Sequence, residues 1–270
     1  MIRILALIAM VWSTSASGDT LRLAVTTSFH NSGLSDVLLP AIKADTGLEV
    51  HLLVVGTGQA LRLGQAGDVD AILVHSRTAE EAFVADGHAT HRREIMYNDF
   101  VLIGPQDDPA AVQGTASAAD AFARIATSES AFVSRGDESG THKKEISLWQ
   151  AASLDPQSFR GWYKPVGAGM GASLNTAAGL DAYILSDRAS WLNFGNKATL
   201  AMLFSGDPAL FNQYAYLPVN PDRHPHVNAK AVQTLEVWLT GNRAEQLVNG
   251  YEIGTEKPFH FNAQSPAVDP

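Results

Sequence analysis

Short apolar runs alternate with amphipathic stretches along most of the chain, and glycines and hydroxyl residues sit at the junctions between them. Strands separated by helices of this length pair through crossover connections, so the alternation restricts the fold to the α/β class. Leu21-Arg22-Leu23-Ala24-Val25 predicts a strand ending in Thr26-Thr27-Ser28. Leu34, Val37, Leu38 and Ile42 predict a helix over 34–45, stopped by Thr46-Gly47. Further strands are predicted over 48–55, 71–74 and 96–104, with helices over 59–65 and 80–86. The second part repeats the style, with helices over 118–126 and 139–152 and strands over 131–133, 182–185 and 214–219. A last amphipathic helix, 227–239, sets Val227, Ala231, Leu235 and Trp238 on one face. Mostly parallel sheets are expected.

The chain has 270 residues, 46% of them hydrophobic, and no cysteine, so an apolar core rather than disulfides must hold it. Met1-Ile2-Arg3, the apolar run Ile4–Trp12 and the small residues Ser13–Gly18 read as a cleavable signal peptide over 1–17. It is too short to anchor in a bilayer. Loss of Arg3 moves the net charge from −9 to −10, which argues against nucleic acid or an anionic membrane as partner. Without a cysteine for lipid attachment, the mature protein is expected free in the periplasm, as a monomer. No linker or repeat interrupts it, so two lobes would share strands: 18–98 with 216–270 as one, 99–215 as the other.

Four junctions follow predicted strands: Thr26-Thr27-Ser28, Gly56-Thr57-Gly58, Ser134 to Thr141, and Gly167-Ala168-Gly169-Met170-Gly171. Ligands of open α/β sheets bind beyond the carboxyl ends of strands. Helix N-termini there offer unpaired amides, and Arg135, six residues before Thr141, offers a forked permanent cation. Hydroxyls and amides dominate over lysines, an inventory suited to a small, desolvated tetrahedral oxyanion. Thr27, Ser28, Thr57, Arg135, Ser139, Gly140, Thr141, Gly169, Met170 and Gly171 are the candidate contacts. Each also has a structural reading: Thr27, Ser28 and Ser139 as helix caps, Thr57 as turn chemistry, Arg135 as partner of Asp137 or Glu138. Asp187-Arg188 reads as an ion pair fixing a lobe, with Asp187 orienting donors. No metal or cofactor is expected, because the nine histidines show no ligand spacing.

The strings Thr26-Thr27-Ser28, Gly56-Thr57-Gly58-Gln59-Ala60-Leu61, Val74-His75-Ser76-Arg77 and Met96-Tyr97-Asn98-Asp99-Phe100 then occur in order. They are followed by Ser134-Arg135-Gly136-Asp137, Ser139-Gly140-Thr141, Gly169-Met170-Gly171 and Tyr183 to Arg188. Together they resemble the periplasmic tungstate-binding proteins of ATP-driven tungstate importers, from about Leu21 to Trp238. The resemblance implies a type II periplasmic binding protein, two α/β lobes closing on tungstate or molybdate and delivering it to an inner-membrane ABC permease. Val25 stands where the family has a threonine, Glu138 where it tends to have aspartate, and Ala189-Ser190 where it has Gly-Thr.

Two other readings stay open. A receptor for phosphate or sulfate would use the same Arg, Asp and Ser-Gly-Thr string, with Asp137 accepting phosphate's proton. An exported phosphoester hydrolase would need a nucleophile with its base or a two-metal carboxylate cluster, and neither spacing is present. G-x-S-x-G, H-E-x-x-H and P-loop motifs are also missing. Hinges are expected near Asn98–Ile103 and Tyr214–Val219.

Overall fold

The computed structural model describes residues 19–264; the expected signal peptide, 1–17, lies outside them. Among the described residues no helix is long and apolar enough to cross a membrane. Strand β1 (Thr20–Thr26), α1 (Thr27–Asn31), α2 (Leu34–Thr46), β2 (Glu49–Val55), α3 (Thr57–Ala66), β3 (Ala71–Val74) and α4 (Arg77–Ala85) form the first α/β units. The long β4 (Arg93–Pro105) leads into α5 (Ala118–Ser128), β5 (Phe132–Ser134), α6 (Gly140–Ala151), β6 (Tyr163–Pro165) and α7 (Met170–Leu180). Then come β7 (Tyr183–Asp187), α8 (Arg188–Asn193) and β8 (Leu200–Phe204). Strand β9 (Phe211–Pro218) returns to the first half, followed by α9 (Ala229–Leu239), α10 (Asn242–Gly250) and β10 (His260–Phe261).

The strand order is β2-β1-β3-β9-β4-β7-β5-β6, with β8 and β10 also paired to β4. Parallel pairing is confined to β2-β1-β3 and β6-β5-β7, one set in each half. The strands between them run antiparallel, against the expectation of mostly parallel sheets. The cause is that β4 belongs to both halves. It pairs with β9 over Arg93–Asp99 and with β7 over Phe100–Ile103, and β9 returns in the opposite direction. The crossings fall at Asp99/Phe100 and at Leu210/Phe211. Tyr214 to Pro218 lie inside the first half, paired with β3 and β4.

Apolar burial follows the same division. Leu21, Phe29, Ile72, Tyr216 and Leu235 belong to one cluster built from the first half and the returning segment. The second half carries a cluster on each face of its sheet, around Phe122, Phe132 and Trp149 on one and Val101, Met170 and Ile184 on the other. Phe122 and Trp149 meet edge-on, with ring centroids 4.5 Å apart. Burying each such side chain stabilises the fold by about 1.5–3 kcal/mol, and no disulfide supplements it.

Candidate functional site

Five helices start where strands end, and their first residues converge between the two halves. Helices α1 and α3 begin at Thr27 and Thr57; α6, α7 and α8 begin at Gly140, Met170 and Arg188. The N-caps are chemically apt: Thr26 accepts from Phe29 N (3.2 Å), Ser139 from His142 N (3.2 Å) and Asp187 from Ser190 N (2.9 Å). Between β5 and α6 the chain takes left-handed geometry at Gly136 (φ 58°) and Glu138 (φ 58°). Gly136 also has Pro165 against it, where a Cβ would stand 3.0 Å from the proline's Cβ. Holding Glu138 there costs about 1–3 kcal/mol, a strain that clusters at functional turns.

Arg135 is the hub. Its side chain is 2% exposed and reaches elements of both halves. Nη2 donates to Thr27 Oγ1 (3.2 Å) and to Asp137, Nη1 to Thr141 Oγ1 (3.5 Å), and Nε to the Ala168 carbonyl (3.3 Å). Asp137 accepts through both oxygens, since its Oδ1 also takes Ser139 N (3.2 Å). Gly140 N donates to Thr57 Oγ1 (3.2 Å), tying α6 to α3. A Cβ on Gly169 would stand 3.4 Å from Thr27 Cγ2, which fixes the start of α7 beside α1.

One pattern runs through these contacts. Thr27 and Thr141 accept from a guanidinium, and Thr57 accepts from an amide. A hydroxyl has one proton and two lone pairs, so an oxygen already accepting from N–H keeps its own proton for a further acceptor. The cluster is thus built to donate, around a cation, away from water. Ser28, Thr57 and Thr141 are buried.

The expected contacts divide by what they can offer. Ser139 keeps its hydroxyl proton while accepting from His142 N, but its own N–H is given to Asp137; the Met170 side chain lies in the second half's core, which leaves Met170 its backbone for the site. Gly171 lies near Asn31, whose Nδ2 would be 3.5 Å from an added Cβ. Asp187 and Arg188 do not pair with each other. Asp187 caps α8, while Arg188 grips Asp99 through two bonds of 2.7 Å and reaches Glu256 at 3.3 Å.

Several buried polar residues escape sequence reasoning. His75, at the end of β3, bonds Ser28 Oγ through Nε2 at 2.9 Å and packs tilted against Tyr214, with ring centroids 4.8 Å apart. Burial, helped by the nearby Arg135 charge, lowers its pKa to about 3, so the ring is neutral. Asn212 of β9 donates to Asn98 of β4 (2.6 Å), and Asn98 to Asp187 (3.5 Å), linking both crossings to α8. Burial raises the Asp187 pKa to about 6. Asp187 Oδ2 and Tyr214 OH are buried without a hydrogen-bond partner. Behind Arg135, Glu145 of α6 accepts from Trp149 Nε1 (3.1 Å) and Tyr163 OH (2.7 Å), and burial raises its pKa to about 7. A lone histidine at a strand end gives no spacing signal, because its partners lie far off in sequence.

Two α/β halves sharing β4 and β9, with helix N-termini meeting between them, define a solute-binding receptor of the periplasmic-binding-protein class. A family model described as "PBP superfamily domain" matches residues 13–243. The chain is 41% identical over 249 residues to the tungstate-binding protein TupA of Peptoclostridium acidaminophilum, covering 92% of this chain and 85% of that one. Among solved structures it resembles TupA from Desulfovibrio alaskensis (40% identity, TM-score 0.78, covering 91% of this chain and 100% of that one). The tungstate ABC transporter structure from Geobacter sulfurreducens is similar too (43%, TM-score 0.79, 86% and 98%). The chain belongs, within the PBP superfamily, to the TupA family of tungstate-binding proteins. It is a transport receptor, not an enzyme, which removes the phosphoester-hydrolase reading.

Proposed function

We propose that the protein captures tungstate, with molybdate as its nearest competitor, between two lobes and hands it to an ABC permease. The observation that carries this reading is the set of hydroxyls whose lone pairs accept from Arg135 and from the Gly140 amide, leaving their protons for a ligand of acceptors only. A fully ionised tetrahedral dianion is such a ligand. Thr27, Ser28, Thr57 and Thr141 would donate hydroxyl protons, Arg135 would supply charge, and the start of α7 (Gly169, Met170, Gly171) would supply amides, while the Ser139 and Gly140 N–H groups, given to Asp137 and Thr57, would hold those partners in place. The lobes would be residues 18–98 with the returning C-terminal segment, and the intervening part from 99, turning about β4 and β9. A signal peptide over 1–17 would place the receptor in the periplasm as a monomer, and the names of its relatives support the importer context.

Thermal unfolding of ligand-stripped protein with equal concentrations of tungstate, molybdate, sulfate and phosphate tests this. Ligand at a thousand times its Kd adds about 4 kcal/mol, a rise of about 8–16 °C for a chain of this size. A rise with tungstate and little with sulfate or phosphate is expected. A rise with phosphate alone would overturn the reading.

A further inference from the structure

His75 lies outside the set of groups that would touch the anion, yet it touches one of them and packs across the interface. Its Nε2 is 2.9 Å from Ser28 Oγ, which is also 3.0 Å from Thr26 Oγ1. Thr26 Oγ1 in turn accepts from Phe29 N at 3.2 Å. His75 Nδ1 is buried and has no partner. The ring is walled by Tyr214 (centroids 4.8 Å), Phe100 (6.0 Å) and the backbone of Gly140, where a Cβ would stand 2.8 Å from it.

These contacts determine where the protons sit. A neutral imidazole has one N–H, on either nitrogen. A proton on Nδ1 would lack a hydrogen-bonded acceptor, with the Asn212 side chain nearby, whereas a proton on Nε2 meets Ser28 Oγ at 2.9 Å. With the proton on Nε2, His75 donates to Ser28 Oγ. Thr26 can donate to the same oxygen while accepting from Phe29 N. Ser28 Oγ is then filled on its lone-pair side, and its own proton points away from both neighbours. This repeats the arrangement at Thr27, Thr57 and Thr141, with an imidazole in place of guanidinium or amide.

We propose that His75 is a positioning residue for the anion: as a fixed Nε2–H donor it holds the Ser28 hydroxyl in the orientation that presents its proton to the bound oxyanion. The role rests on the oxyanion-receptor reading above. It gives Ser28 a direction that the serine lacks on its own, because a hydroxyl free to rotate could equally offer lone pairs and repel the ligand.

The test uses the full mature chain, tungstate and isothermal calorimetry, with His75→Phe, His75→Gln, Ser28→Ala and Ser28→Ala/His75→Phe. His75→Phe keeps the ring area and removes the donor, and is expected to weaken binding about 10- to 100-fold, as for one orphaned hydrogen-bond partner. Gln reaches the Nε2 position with an amide N–H, so His75→Gln is expected to stay within about fivefold of wild type. In the Ser28→Ala background His75→Phe should cost little more, since the group it orients is gone. Nitrogen-15 NMR of the ligand-free wild type reads the tautomer independently of any variant's folding. An Nδ1–H tautomer overturns the proposal. So does unchanged tungstate affinity in His75→Phe, an equal loss in His75→Gln and His75→Phe, or the same loss in the Ser28→Ala background. Wild-type protein that binds no tungstate would remove the receptor reading itself, and with it the role of His75.

Discussion

Gly140→Ala tests how closely the two halves must approach. Gly140 opens α6 in the second half and lies against His75 at the end of β3 in the first. An added Cβ would stand 2.8 Å from His75 Cε1 and Nδ1 and 3.0 Å from its carbonyl oxygen, where ordinary contact begins at 3.4 Å. The shortfall is about 0.6 Å against a ring that Tyr214 and Phe100 confine, and about 0.4 Å against backbone. Overpacking of this kind costs about 1–3 kcal/mol. In the proposed capture between lobes the clash arises where the halves meet, so the penalty should fall on the closed, ligand-bound form and tungstate affinity should drop about 5- to 150-fold. The Gly140 N–H bond to Thr57 stretches with it. Calorimetry gives the affinity, and melts with and without tungstate divide the penalty between states. Ligand-free melting should hold, and the tungstate-induced rise should shrink by about 2–12 °C. Gly179→Ala, on a helix with nothing within 4 Å of the new methyl, serves as the control. Tungstate binding within twofold of wild type, or a loss of ligand-free melting equal to the ligand-bound loss, would refute the argument.

Arg135→Ala removes the hub and leaves Asp137 without its cation; tungstate binding should weaken by about 2–5 kcal/mol, and wild-type affinity in a calorimeter would contradict its role. Thr141→Val and Thr57→Val each remove one hydroxyl proton and should cost about 1–3 kcal/mol, with unaltered affinity placing that residue outside the site. Glu145 sets a pH dependence. Its pKa rises from 4.5 to about 7 on folding, so the folded form holds more protons than the unfolded chain between those values. Its contribution is fully present below about pH 4.5, is lost as pH climbs through 7, and is flat beyond. Asp187, raised to about 6, acts in the same direction. His75, lowered from 6.5 to about 3, acts in the opposite sense below about pH 6.5, so the Glu145 share is read as a difference: in urea unfolding the stability of wild type relative to Glu145→Gln should fall by on the order of 3 kcal/mol from pH 5 to 8. An unchanged slope in the variant would show that Glu145 does not carry it.

The alternation of strands and helices was readable because β1, β3 and α2 carry strong local patterns: Leu21 to Val25, the apolar run Ala71 to Val74, and the spaced Leu34, Leu38 and Ile42. The segments that escaped lack that contrast. Helix α7, Met170–Leu180, is rich in glycine, alanine and small polar residues, so no face stands out. Helices α1 and α8 have five and six residues, too short to show a period. The antiparallel centre was hidden for a different reason: a sequence shows that β4 is long, and not that its two ends serve different sheets. At the site, Arg135 and the Ser-Gly-Thr turn were legible because a helix start and its donors are neighbours in sequence. His75 was not, since Ser28 lies 47 residues away and only the folded chain brings them together.

The paired run of β4 and β9 also has a mechanical consequence. At the joint Asn98 faces Asn212 and Asp99 faces Phe211 in one antiparallel register, reinforced by the hydrogen bond from the Asn212 side-chain amide to that of Asn98. Two straps stitched to each other cannot slip lengthwise past one another, though the ribbon they form can bend and twist. The joint therefore works like a leaf spring: it gives the halves an angle to vary and denies them a sliding offset. In the proposed closure Thr57 would meet Gly140 and Thr27 would meet Arg135 in the same alignment each time, with the ladder behind the site as its gauge.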